Sequence, residues 1–291
     1  MPNRRELGYV SAGSTSTVYV STGIYGRATG GIGSPTAVTI SGVNYEYLTF
    51  NATGTLTVTT AGFFDYLLVG GGSGSAFYTA GGGEGGGGGG GQVLIGTVYL
   101  SANTTITIGA GGTATAYNGG ASTATNTVLS ATSPFAITAG GSVGLNSSGD
   151  GGSEQGYASG RGSAAVAASR SLNTPAGYKG GGATTAAGGG GGGAGGAGGD
   201  GASSIGGVGG SGFDISVFIG GSASYRATGG GGSGATGGAG GNSSASSNAG
   251  TTNSTSNSAT ANSGSGGGAG RFGSINGNGG SGVAFIRWKV S

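Results

Sequence analysis

The chain has 291 residues, of which 81 are Gly and 4 are Pro, none is Cys or His, and 10 Lys or Arg stand against 8 Asp or Glu for a net charge of +2. This excludes disulfides, thiolate or imidazole chemistry and a basic stripe along a nucleic-acid backbone, and it lies far from an ordinary globular composition. Glycine loses more backbone entropy on ordering than any other residue, so a fold built on it must recover that cost through backbone hydrogen bonds, the one interaction plentiful enough.

Residues 1–35 read as a leader. Arg4 and Arg5 are not followed by the apolar run of a signal peptide, and no stretch approaches the roughly 20 apolar residues of a membrane span. The best strand is Thr15-Ser-Thr-Val-Tyr-Val20, before the turn Gly30-Gly-Ile-Gly-Ser-Pro35. The size of this leader suits attachment to another protein, with Val18, Tyr19 and Val20 as the candidate attachment residues.

Residues 36–291 are expected to form one glycine-rich β/polyglycine domain. Antiparallel strands are predicted at Thr36–Ile40, Tyr45–Phe50 and Gly54–Thr59, the last alternating Leu56 and Val58 with threonines in the period-two pattern of a half-buried strand. Phe63-Phe-Asp-Tyr-Leu-Leu-Val69 is a continuous apolar run and is predicted to be buried on both faces. Gln92–Leu100 and Thr104–Ile108 repeat the style. The final strand, Gly282–Val290, places Ile286, Trp288 and Val290 on one face and Arg287 and Lys289 on the other, wet face.

Between these blocks lie glycine tracts. Ala194, Ala197 and Asp200, then Ile205, Val208 and Ser211, then Thr236, Ala239 and Asn242 recur at every third place. Period three is that of the polyproline-II conformation, which has no internal hydrogen bonds, so such backbones must bond laterally to one another. The expected fold class is all-β, with small antiparallel sandwich-like strands, a bundle of polyglycine-II helices at 81–91, 140–160, 180–200, 204–212 with 229–241, and 264–282, and almost no α-helix. The one helical candidate is Ser163–Ser169. The third-place residues should form ridges on an outer face or at a joint.

Chemical motifs are weak. Gly-x-Gly-x-x-Gly matches carry no information in a chain this rich in glycine, and Lys179 is followed by Gly180 rather than the Ser or Thr of a phosphate-binding loop. Asp150 and Glu154 lack the arrangement a glycosidase needs, and with Asp200 they do not compose a known calcium loop. No catalytic residue, metal ligand or cofactor is expected, and the chain is read as no enzyme. Aromatic residues among Gly and Ser stand out instead: Phe77, Tyr78, Tyr117, Tyr157, Tyr178, Tyr225 and Phe272. They either plug the ends of the bundle or stack on a partner, and Tyr157, Tyr178, Tyr225 and Phe272 are the candidate receptor contacts. Asn242–Ser263 reads as a long polar loop able to hydrogen-bond a glycan.

The entry strand ending in Leu-Leu-Val69 before Gly70-Gly-Gly, the strand pair Gln92–Leu100 and Thr104–Gly112, the Gly-Gly-X tracts and the closing Gly279-Gly-Ser-Gly-Val-Ala-Phe-Ile-Arg-Trp288 resemble the glycine-rich domain of bacteriophage tail fibre and other virion proteins. The resemblance covers roughly residues 45–290. It implies a virion location, with attachment to other virion proteins through the N-terminal segment and contact with a host glycan or outer-membrane protein. A homo-oligomer, a trimer by analogy, is implied too, without nucleic-acid binding or membrane insertion. The expected function is a tail-fibre, tail-tip or spike component in host attachment. Alternatives are a capsid decoration protein and, from another class, an ice-binding or cell-surface matrix protein.

Overall fold

The computed structural model describes residues 25–75, 84–114, 124–130, 136–142, 178–184, 186–242, 258–270 and 277–290. Short β-branched and aromatic runs, most of them closed by Gly, Ser or Asn, give β1 (Arg27–Thr29), β2 (Thr36–Ile40), β3 (Val43–Phe50), β4 (Gly54–Thr60), β5 (Gly62–Val69), β6 (Val93–Leu100), β7 (Thr104–Thr107), β8 (Thr127–Ser130) and β9 (Ala136–Ala139). A small excursion follows, made of β10 (Phe213–Asp214), the single turn α1 (Ser216–Ile219) and β11 (Tyr225–Arg226), and β12 (Val283–Lys289) closes the chain.

All pairings between these strands are antiparallel. They build two five-stranded sheets, in the orders β2-β3-β12-β5-β6 and β1-β4-β7-β8-β9, with β10-β11 as a separate pair. The fold is all-β, as the alternation in β4 requires. Leu56 of β4 is fully buried, and it meets Leu48, Phe50, Phe64, Leu68, Leu100, Ile106, Leu129, Ile286 and Trp288 in the core between the two sheets. Trp288 sits edge-on to Phe64, ring centres 5.8 Å apart, and its Nε1 donates to Glu46 Oε2 at 3.0 Å, which satisfies the one polar atom of the largest core side chain.

Beyond Val69 the chain leaves the sandwich and enters a glycine lattice. Gly188, Gly191 and Ala194 donate their N–H groups to Ser233, Gly230 and Ala227, so every third residue of one run meets the same neighbour. Gly190 and Gly193 donate to Gly199 and Gly196, on a different side. The carbonyls repeat the pattern: Gly188 and Gly191 accept from Gly207 and Gly210, Gly189 and Gly192 from Gly87 and Gly90, Gly190 and Gly193 from Gly181 and Tyr178. One run thus has neighbours all round, which is the lateral bonding of polyglycine-II. A Cβ on Gly191 would fall far inside contact distance of the Gly88 carbonyl oxygen, so the packing admits only glycine there.

Several expectations change. Phe63 is 43 % exposed, so β5 is not buried on both faces along its whole length: Phe64 enters the core and Phe63 faces out at the strand end. The outer face of β12 is not simply wet, because Phe218 and Ile215 cover Leu67, Val69, Val93, Val283 and Phe285, and the Arg287 side chain beside them is only 15 % exposed. The helical turn α1 and the strands β8 and β9 were not foreseen. Residues from Tyr25 onward already pair with the sandwich, Arg27–Thr29 with β4. Ser163–Ser169 and most of 140–160 lie outside the described residues.

Candidate functional site

The third-place residues of the lattice reach the surface as rows. The run at 205–212 lies beside 196–200, through Gly199 N–H to the Val208 carbonyl at 2.7 Å, and beside 236–242, through Gly206 and Gly209 N–H to the Thr236 and Ala239 carbonyls at 2.8 Å each. Asn242 closes the pair by accepting the Gly212 N–H on its Oδ1 at 2.7 Å. Three residues at about 3.1 Å rise place successive side chains of one row about 9 Å apart. Ile205 and Val208 are 55 % and 51 % exposed, and Ala197, Asp200, Thr236 and Ala239 are exposed on the adjoining runs. Ala194 belongs to the same sequence pattern but is fully buried, because its place falls where the lattice meets the sheet.

The lattice has two ends. Val69, Gln92 and Val283 mark the end joined to the sandwich, since Gly70 N–H bonds the Gln92 carbonyl and β12 begins at Val283. The other end is reached along Gly70–Ser75: Ser75 N–H bonds the Gly277 carbonyl and its Oγ bonds the Gly268 carbonyl. Glu84 and Ser233 lie at that far end, where Ser233 Oγ donates to Glu84 Oε2 at 3.0 Å in a buried contact. Ser75, Glu84, Ala114, Gly270 and Gly277 therefore gather at the end away from the sandwich.

Among the residues singled out from sequence, Val18, Tyr19, Val20, Tyr157 and Phe272 lie outside the described residues, as do Phe77, Tyr78, Tyr117, Asp150 and Glu154. Tyr178 is placed on the flank of the lattice by its N–H bond to the Gly193 carbonyl, and the residue is 37 % exposed. Tyr225 is partly buried in the β10–β11 pair opposite Asp214. The two belong to different runs. Asp200, weighed as an ion ligand, spends Oδ1 on the Gly182 N–H at 2.6 Å. Of Asn242–Ser263, the described end is tied down: Ala259 N–H bonds the Asn278 carbonyl and Ser263 is buried.

The β10–α1–β11 excursion is organised by two charged groups. Asp214 Oδ1 accepts the N–H groups of Ser216 at 3.0 Å and Ser224 at 2.9 Å; burial works against its charged form, and the hydrogen bonds outweigh it, so its carboxyl titrates below the ordinary value. Burial lowers the Arg226 pKa, and its Nη1 donates to Ser224 Oγ and to the Tyr225 carbonyl.

Sequence reasoning missed one surface group. Tyr25, Phe63 and Tyr99 are exposed together at the end of the central sheet opposite the lattice. Phe63 was hidden by the continuity of the apolar run in β5, where only the period-two contrast with Phe64 betrays it. Among the described residues no group of three acidic side chains is placed to hold a metal ion, and no helix is long and apolar enough to cross a membrane.

A family model described as a glycine-rich domain matches residues 49–289. No curated protein matches the chain.

Proposed function

The chain belongs to the glycine-rich domain family, and from that premise we propose that it is a structural component of a bacteriophage virion acting in host attachment, at a tail fibre, tail tip or spike. The observation that carries this reading is the polarity of the molecule. A sandwich joined by Tyr25 and Arg27–Thr29 stands at one end, and a laterally bonded lattice runs from it to an end where Ser75, Glu84, Ala114, Gly270 and Gly277 collect. Such a lattice resists bending, because each run is tied to several others, and it would hold its far end away from a sandwich attached to the particle. Partners of other classes would not need that separation.

Capsid decoration is the second reading, supported by the exposed rows of Ile205, Val208, Thr236 and Ala239, which suit contact with another protein surface. Fluorescently labelled protein added to host cells, and to particles stripped of it, tests the choice. Labelling of cells that is lost in Tyr178→Ala or Tyr225→Ala supports attachment. Re-attachment to particles with no labelling of cells overturns it in favour of decoration.

A further inference from the structure

The outer face of the central sheet is covered near the lattice by Ile215 and Phe218, but its opposite end is open. There Phe63 and Tyr99 face each other in register across β5 and β6, ring centres 5.4 Å apart at 73°. Tyr25 bridges to Phe63, held by the Gly26 N–H to the Phe63 carbonyl at 3.1 Å. A Cβ on Gly26 would strike the Phe64 ring on the core side, so Tyr25, one residue earlier, turns to the outer face. Lys289 Nζ lies 5.6 Å from the centre of the Tyr25 ring. Tyr25, Phe63 and Tyr99 are 42 %, 43 % and 55 % exposed, so each residue is partly open to solvent.

The next row of the same face is polar. Thr97 Oγ1 donates to Asp65 Oδ1 at 2.7 Å, and Asp65 Oδ2 accepts from Arg287 Nε at 3.1 Å. An ionised carboxylate has about four lone-pair sites, and these two bonds leave acceptor capacity on both oxygens. Aromatic faces, a carboxylate acceptor, an ammonium donor and two phenol hydroxyls thus stand on one strip of sheet.

We propose that this strip is a saccharide-binding subsite that takes a pyranose ring. A pyranose carries C–H bonds on its face and hydroxyls around its rim. The C–H face packs on the negative face of an aromatic ring, and the rim hydroxyls reach Asp65, Lys289 and the tyrosine hydroxyls. A protein partner would need about 800 Å² on each side. Three rings backed by a polar row fall short of that and match one or two sugar rings. Strand register holds Phe63 and Tyr99 in place before any ligand arrives, which keeps the ordering cost of binding small. The subsite goes beyond the attachment reading: it lies on the sandwich, away from the far end of the lattice, and the sugar contact does not depend on a virion location.

Saturation-transfer NMR on the full chain with the methyl glycosides of glucose, galactose and N-acetylglucosamine at millimolar concentration tests it. The expected result is transfer to the ring C–H protons of at least one glycoside. That signal falls roughly five-fold in Phe63→Ala and in Tyr99→Ala, the loss of one aromatic contact, and is unchanged in Val217→Ser. Trp288 emission reports whether each variant is folded, and Tyr99→Leu, which keeps apolar bulk without a π face, replaces any variant that is not. Absence of transfer from the wild-type chain to all three glycosides overturns the subsite, as does transfer that survives both ring removals. Labelling of host cells without sugar contact would overturn the subsite and leave attachment standing; sugar contact without cell labelling would do the reverse.

Discussion

The guanidinium of Arg287 lies 4.2 Å from the centre of the Phe218 ring and donates from Nη1 to the Phe218 carbonyl at 2.7 Å, so one side chain of the sheet grips both the ring and the backbone of the turn above it. It also lies 4.4 Å from the centre of the Tyr45 ring, and its Nε is paired with Asp65. Arg287→Met keeps the stem and removes these contacts. It should cost about 2 kcal/mol, the worth of a partly buried charge-assisted hydrogen bond, and amide exchange should rise at Phe218, Ile219 and Gly220 before the rest of the chain.

Gly191→Ala should destabilise far more than its one methyl group suggests. The new Cβ would meet the Gly88 carbonyl oxygen, a backbone atom that cannot swing aside, and relief requires parting two runs with their hydrogen bonds. A loss of about 3 kcal/mol or more is expected from overpacking with broken backbone bonds. Ala197→Ser, on an exposed place of the same tract, should stay within about 0.5 kcal/mol. Urea midpoints of the two variants compare them directly.

Asp214 sets an acid limit on the excursion. Its folded pKa lies below the ordinary carboxylate value, so ionised Asp214 contributes stability that is complete above about pH 4 and is lost as pH falls through the folded pKa. Asp214→Asn should flatten stability against pH below 4 and leave the curve above 5 parallel to that of the wild type. Tyr66 acts at the opposite limit. Burial raises its pKa above 10.0, so stability present below about pH 10 is lost as pH rises through the folded value, and Tyr66→Phe should remove that alkaline loss.

Trp288 is the only tryptophan and is fully buried, so its emission should be blue-shifted in the native chain and move red in a single step on unfolding. Trp288→Ala should cost about 3–5 kcal/mol, as large aromatic truncations in a core do. Glu46→Gln, which retains an acceptor for the indole N–H, should cost much less; equal losses would mean that the charge of Glu46, rather than the hydrogen bond, holds the ring.

The strands were legible where alternation is strict. Leu56, Ile286 and Trp288 all lie on the buried side that their period-two spacing assigns, and the rows at 205–211 and 236–242 follow from period three alone. What stayed hidden depends on contacts far apart in sequence. Arg287 looks like a wet-face residue until Phe218, 69 residues earlier, is folded over it. β8 and β9 are too short and too rich in Ser, Thr and Ala to stand out. Of the candidate site, Tyr178 stood out from its Gly and Ser surroundings, but Tyr25, Phe63 and Tyr99 come together only through β5–β6 register and a bridge from the segment before β1.

The three-residue repeat of the lattice also constrains how such a chain can change in length. An insertion of three residues adds one full turn and returns every N–H and carbonyl beyond it to the side it faced before. An insertion of one residue turns everything beyond it by a third of a revolution, presenting Gly190 N–H to the neighbours of Gly191 and swinging the side chain at Ala197 inward. Tracts of this kind should therefore drift in length by whole triplets of residues, nine nucleotides of coding sequence at a time.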